Sequence, residues 1–237
     1  MHAANKAIAM HDIGFSYDGE TDVLSSFDLD LYSGRTYALL GFSGSGKTTL
    51  LKIVAGILVA SAGHLFVSSE LTFGYVPQES SLLPWLTIRK NVALGSELHR
   101  HTESWKEWRQ QLVDLFALQR FLDLRPRALS GGMKQRAAVI CALTSGANVL
   151  LLDEPFAGSD RLRKIAMYEA LCEFKRRLPT GVIVLATHDP NDVFALGATA
   201  VWLDNMAGQP TVISPSNGEW DIVGREKLLQ LMIRETA

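Results

Sequence analysis

Gly41-Phe42-Ser43-Gly44-Ser45-Gly46-Lys47-Thr48 has the residue types and spacing needed to grip a polyphosphate. Its glycines let the backbone wrap closely enough for successive N–H groups to point at phosphate oxygens. The helix expected from Thr48 onward, with Thr49 in its first turn, adds the positive end of its dipole. Lys47 offers a point charge for the β- and γ-phosphates, and the Thr48 hydroxyl suits a magnesium ion. Further on, Val149-Leu150-Leu151-Leu152-Asp153-Glu154 reads as a buried strand ending in two acids. That is the edge at which α/β sheets bind ligands. There Asp153 is placed to hold magnesium, directly or through water, and Glu154 to polarise an attacking water as general base. A chance glycine turn and a pair of surface acids are the alternatives; the loop's strand-before, helix-after context disfavours the first.

The elements that must position these residues alternate. The first forty or so residues read as β, with Val23, Phe27, Leu29 and Leu31 largely alternating with polar neighbours. Arg35–Leu40 is a strand running into the glycine loop, and Thr48–Gly56 is a helix. Short strands follow around Leu65–Val67 and Gly74–Val76. The middle is helical: Thr87–Leu94 with Thr87 as cap, Ser104–Leu118 with a possible capping box from Ser104 to Glu107, and a helix after Ser130. This makes a helical insert over about 79–145. Strand and helix then alternate again through Asn148–Leu152, Asp160–Leu178 and Val182–Ala186. Strands at Ala200–Leu203 and Thr211–Ile213 and a helix at Arg225–Arg234 close the chain. Near-continuous apolar strands fit a parallel sheet covered on both faces.

The chain has 237 residues, 47% hydrophobic and 20% charged, which argues against disorder and low-complexity architectures. Lys and Arg total 23 against 25 Asp and Glu, a formal net charge of −2, so a strongly basic nucleic-acid binder is disfavoured. No secretory signal and no apolar run long enough to span a bilayer is visible. Cys141 and Cys172 match no zinc spacing and read as buried reduced thiols. Arg161–Lys164 and Lys175–Arg177 read as a solvated helix face, and His2, His11, His64, His99 and His101 as surface residues.

Leu129-Ser130-Gly131-Gly132-Met133-Lys134-Gln135-Arg136 resembles the signature of ABC (ATP-binding cassette) ATPases, and stands just before the strand ending in Asp153-Glu154. The family's other motifs have matches in family order: Tyr17 for the adenine-stacking aromatic, Gln78 in Tyr75-Val76-Pro77-Gln78, Asp160 for the D-loop, and His188 in Leu185-Ala186-Thr187-His188-Asp189. The resemblance runs from Phe15 to about Leu203. It implies an α/β P-loop NTPase of ABC ATPase type over 1–237, a RecA-like core with an antiparallel β subdomain and a helical subdomain. ATP and Mg2+ are the implied ligands. Catalysis falls to Glu154, His188, Gln78 and Lys47; Thr48, Gln78 and Asp153 hold the metal. The nucleotide contacts are Tyr17, Gly41, Phe42, Ser43, Gly44, Ser45, Gly46, Lys47, Thr48 and Thr49. Ser130, Gly131, Gly132 and Gln135 face the ATP of a second subunit in a head-to-tail dimer.

Within the family, Leu82-Leu83-Pro84-Trp85-Leu86-Thr87-Ile88-Arg89-Lys90-Asn91-Val92 resembles bacterial importer ATPases of the nitrate, sulfonate, taurine and thiamine-precursor type. The implied function is to energise import of a small solute, peripherally on the inner face of the cell membrane. Permease subunits would dock near Gln78–Val92, fed by an external solute-binding protein. Alternatives are an exporter or lipid-extraction motor and a nucleotide-gated clamp on a soluble partner. There are departures from the common pattern: Cys141 where arginine is common, Ser159 before Asp160, Asp192-Val193 where Glu-Ala is usual, and Ala198-Thr199 where Asp-Arg is usual.

Overall fold

The computed structural model describes residues 5–79, 81–98, 103–204, 209–216 and 218–234. It divides into two compact units, Met1–Leu71 with Thr180–Ala237, and Thr72–Pro179. The first unit opens with β1 (Lys6–Ser16), β2 (Asp22–Tyr32), β3 (Thr36–Leu40), α1 (Lys47–Val54) and β4 (Ala62–Val67). The second holds β5 (Phe73–Val76), α2 (Ile88–Leu98), α3 (Glu103–Leu115), α4 (Gly131–Leu143), β6 (Val149–Asp153) and α5 (Arg161–Arg177). The chain returns to the first unit through β7 (Val182–Ala186), α6 (Pro190–Ala195), β8 (Thr199–Trp202), β9 (Thr211–Ile213) and α7 (Ile222–Arg234).

In the first unit β3 pairs in parallel with β7 and β8, and β9 adds antiparallel to β8. Every residue of β7 and β8 is buried, as is all of β3 beyond Thr36. This is the pattern expected of a parallel sheet, and it fixes the level at which β3 releases the chain into the glycine loop. Separately, β2, β1 and β4 form an antiparallel sheet. Ile8, Met10, Ile13 and Leu31 are buried there, while His11 and His64 face each other across β1 and β4 on the exposed face. His2, His99 and His101 lie outside the described residues.

In the second unit β5 and β6 pair in parallel. Trp108 of α3 is buried, with the Arg177 guanidinium stacked 4.9 Å from its ring centre and held by Glu173 at 2.8 Å. Part of the α5 charge run is therefore engaged with its own unit rather than solvated. The helix expected over Ser104–Leu118 starts at Glu103 and stops at Leu115. Ser104 lies inside it, so it is not the cap. Ala117 turns left-handed at φ 54°, and the Leu118 N–H bonds the Val113 carbonyl at 2.9 Å, a Schellman-type ending. Thr87 does cap α2, its hydroxyl accepting from the Lys90 N–H at 3.3 Å. Cys172 is exposed rather than buried, because it falls on the outer side of α5. α6 has no counterpart among the expected elements: Pro190 opens it and it runs for only 6 residues.

Among the described residues no helix is long and apolar enough to cross a membrane. Gly63 has φ 79°, and a Cβ there would lie 2.1 Å from the Asp12 carbonyl oxygen. Gly63→Ala should destabilise the protein by about 2 kcal/mol or more, read as a fall in denaturation midpoint.

Candidate functional site

The expected site residues fall in both units. In the first, β3 delivers the chain to Gly41, whose φ is 140°. A Cβ at this position would stand 2.5 Å from the Leu203 carbonyl and 2.7 Å from the Ser45 hydroxyl, so the turn accepts only glycine. The Ser45 N–H donates to the Phe42 carbonyl at 3.1 Å, closing the loop on itself. Ser45 is buried, Gly46 packs on Leu24, and Ser43 and Gly44 are exposed. Phe42 is exposed and stands edge-on to Trp202 at 6.3 Å. The Lys47 ammonium reaches back over the loop, donating to the Gly41 and Phe42 carbonyls at 2.7 Å each.

Gly46, which has no side chain to cap a helix, precedes α1, and Thr48 lies half-buried in its first turn. A strained glycine turn, an ammonium folded over it and a helix N-terminus make a donor set that fits a polyphosphate, and the Thr48 hydroxyl fits a hard cation. Thr49 is buried, and its hydroxyl is engaged with the Tyr17 hydroxyl at 3.1 Å. Tyr17 is 63% exposed and rests edge-on against Phe15 at 4.9 Å, leaving much of its ring to solvent.

His188 leaves the end of β7 exposed, between two tied residues. Thr187 is buried, and its hydroxyl donates to the carboxylate of Asp192, itself buried at 1% exposure. Asp189 caps α6, accepting from the Asn191 N–H at 2.9 Å.

In the second unit, β6 is buried throughout and ends at Asp153, 2% exposed. Glu154 is half-buried with φ 47°. A glutamate in the left-handed region costs of order 1 kcal/mol or more, and such strain persists where the surroundings over-determine it. Gln78 leaves the end of β5 exposed. Ser130 caps α4, its hydroxyl accepting from the Met133 N–H at 3.4 Å, and Ser130 and Gly131 are exposed. Gln135 departs from the expected arrangement. It is buried, and its amide donates to the Pro77 carbonyl at 3.4 Å, next to Gln78. Five residues beyond the cap, the helix has turned its side chain into its own unit, where the amide is engaged. Asp160 is the N-cap of α5, accepting from the Arg163 N–H at 3.0 Å and pairing with its guanidinium at 2.9 Å.

The Leu82–Val92 segment is built around the buried side chain of Asn91. Asn91 accepts from the Leu83 N–H at 2.7 Å and donates to the Leu83 and Thr87 carbonyls at 3.1 and 3.0 Å. The loop so tied leaves Trp85 65% exposed at its tip. Beside it a cavity of about 280 Å3 is lined by Leu82, Leu83, Asn91, Leu94 and Cys141, among others. Burial pushes the Cys141 thiol up to about 12, which favours its neutral form.

The ABC transporter family profile matches residues 24–157. The chain is 36% identical over 197 residues to the nitrate transport protein NasD of Klebsiella oxytoca, covering 79% of this chain and 75% of that one. It is likewise 36% identical over 197 residues to an aliphatic sulfonates import ATP-binding protein of Pseudomonas savastanoi pv. phaseolicola, covering 83% and 80%. Among solved structures it is similar to one described as the ATP binding subunit of an ABC transporter. The TM-score is 0.79 at 26% identity, over 97% of this chain and 98% of that one.

Asn91→Ala strips the Leu83–Thr87 loop of its internal tie and should cost about 2 kcal/mol, read by chemical denaturation. At pH 8, iodoacetamide should label the exposed Cys172 well before Cys141, as peptide mass mapping would show.

Proposed function

The chain belongs to the ABC transporter family, and we propose that it is the ATP-binding and ATP-hydrolysing subunit of an importer. It would drive a small solute through separate membrane-spanning permease subunits. The observation that carries this reading is the glycine loop with the Lys47 ammonium folded over it at the end of β3. A bound triphosphate offers that ammonium stronger, charged acceptors than the two carbonyls it now holds.

In this reading the loop N–H groups of 41–48 receive the phosphates, Thr49 lies in the turn behind them, and the exposed ring of Tyr17 stacks on adenine. Thr48, Asp153 and Gln78 hold Mg2+, which when bound supplies charge neutralisation on the phosphates. Glu154 orients the attacking water and takes its proton, and His188 contacts the γ-phosphate. Ser130, Gly131 and Gly132 of one subunit meet the ATP of the other head-to-tail, since one subunit carries only part of the needed charge. The exposure of Ser130 and Gly131 at a capped helix start supports this. Asp160, by capping α5, sets the D-loop that joins the dimer contact.

The helical subdomain, about 79–145, presents the Gln78–Val92 segment to the permease, with the exposed Trp85 as an anchor. In this reading the protein works on the inner face of the membrane, with an external solute-binding protein delivering the cargo. Support comes from relatives whose names state nitrate transport and sulfonate import.

Lys47→Ala should abolish ATP turnover. Glu154→Gln should keep ATP binding within a few-fold and lower kcat by about 100-fold or more, checked by phosphate release and by titration with a fluorescent ATP analogue. Unchanged steady-state hydrolysis in Glu154→Gln would remove the assigned base. Ser130→Arg should block turnover and leave ATP binding intact. Solubilised native membranes should yield a polytopic permease with the ATP-loaded Glu154→Gln protein, and recovery of soluble partners alone would favour the clamp.

A further inference from the structure

We propose that Thr187 and Asp192 are positioning residues for His188, forming a buried polar latch that fixes the backbone on both sides of it. The inference deepens the functional reading above and rests on its assignment of His188 to the γ-phosphate.

The latch is visible in the direction of each hydrogen bond. The Thr187 N–H donates to the Leu39 carbonyl at 3.1 Å, tying the residue before His188 to β3. Its hydroxyl donates to an Asp192 carboxylate oxygen and accepts from the Asp189 N–H at 3.1 Å. One oxygen thus uses both its proton and a lone pair. The Asp189 N–H can only donate, so the Thr187 hydroxyl turns a lone pair to it and its proton to Asp192. The residue after His188 is thereby tied to the side chain of the residue before it.

The other end of the latch is equally fixed. The Asp192 N–H donates to the Asp189 carbonyl at 3.1 Å, and the Asp192 carbonyl accepts from the Leu196 N–H at 3.2 Å. Thr187 and Asp192 are 2% and 1% exposed, so these bonds form where unmade ones are expensive. His188 itself is exposed and projects from a turn whose two flanks cannot relax independently. Such a turn gives the exposed side chain a set reach.

A positioning role differs from a merely structural one in what else it depends on. The test is a double-mutant cycle on the full-length protein, measuring ATP turnover for Thr187→Val and Thr187→Ser, each with His188 intact and with His188→Ala. Thr187→Val keeps the shape and removes the hydroxyl. It should lower kcat about tenfold while KM for ATP stays within about twofold. Thr187→Ser restores the hydroxyl and should return kcat to within about twofold of wild type. With His188→Ala, Thr187→Val should cause no further loss. Wild-type kcat in Thr187→Val, or its full loss repeated with His188→Ala, overturns the proposal.

If Thr187→Val does not fold, Asp192→Asn carries the same cycle: a loss with His188 present and none without it, with additivity overturning the proposal. The functional reading is checked separately. Absence of ATP binding and turnover in the wild type overturns that reading, and wild-type turnover in His188→Ala overturns the role given to His188. In either case the inference falls with it.

Discussion

A polyphosphate is held best by N–H groups that cannot turn away from it, and the first unit is organised around that constraint. Backbone donors are fixed only if the chain entering and leaving the loop is fixed. β3 enters between β7 and β8 with its residues beyond Thr36 buried. Gly41 then turns so tightly against Leu203 and Ser45 that no side chain fits, and α1 begins directly after Gly46. The Lys47 ammonium lies over the carbonyls of this turn, so its charge is already at the loop rather than ranging through solvent.

The same economy recurs at the other exposed residues to which the reading gives a function. Each stands beside a buried or capping polar group that holds its backbone. Asn91 ties the loop that exposes Trp85. Thr187 and Asp192 bracket His188. Gln135 bonds the carbonyl of Pro77, the neighbour of Gln78. Asp160 caps the helix it opens, and Ser130 does so for the signature turn. Buried polar ties stabilise little on balance, but leaving one half-made is costly, so they specify one geometry.

Much of this was legible in the sequence, and the reasons are local. The buried strands β3, β6 and β7 announced themselves as continuous apolar runs, and the glycine loop by spacing alone. What stayed hidden depends on side chains meeting across sequence. The end of α3 at a left-handed Ala117 carries no glycine signal. α6 is too short to show a period. Gln135 reads as part of a glycine-rich signature, and only the turn of α4 shows that its amide points inward. Asn91 and Asp192 stand in quoted motifs, but that both are buried is not visible in the sequence. The left-handed backbone of Glu154 is likewise invisible as a letter.

The central claim is that ATP joins two copies of this chain, because each supplies only part of what the transferring phosphoryl group requires. The most direct measurement is light scattering on the purified Glu154→Gln protein, with and without ATP and Mg2+. The expected result is a particle of one chain, 26.0 kDa, without nucleotide and of twice that mass with ATP, with no such shift for ADP. A protein that binds ATP and keeps the same mass with and without it would contradict the shared site.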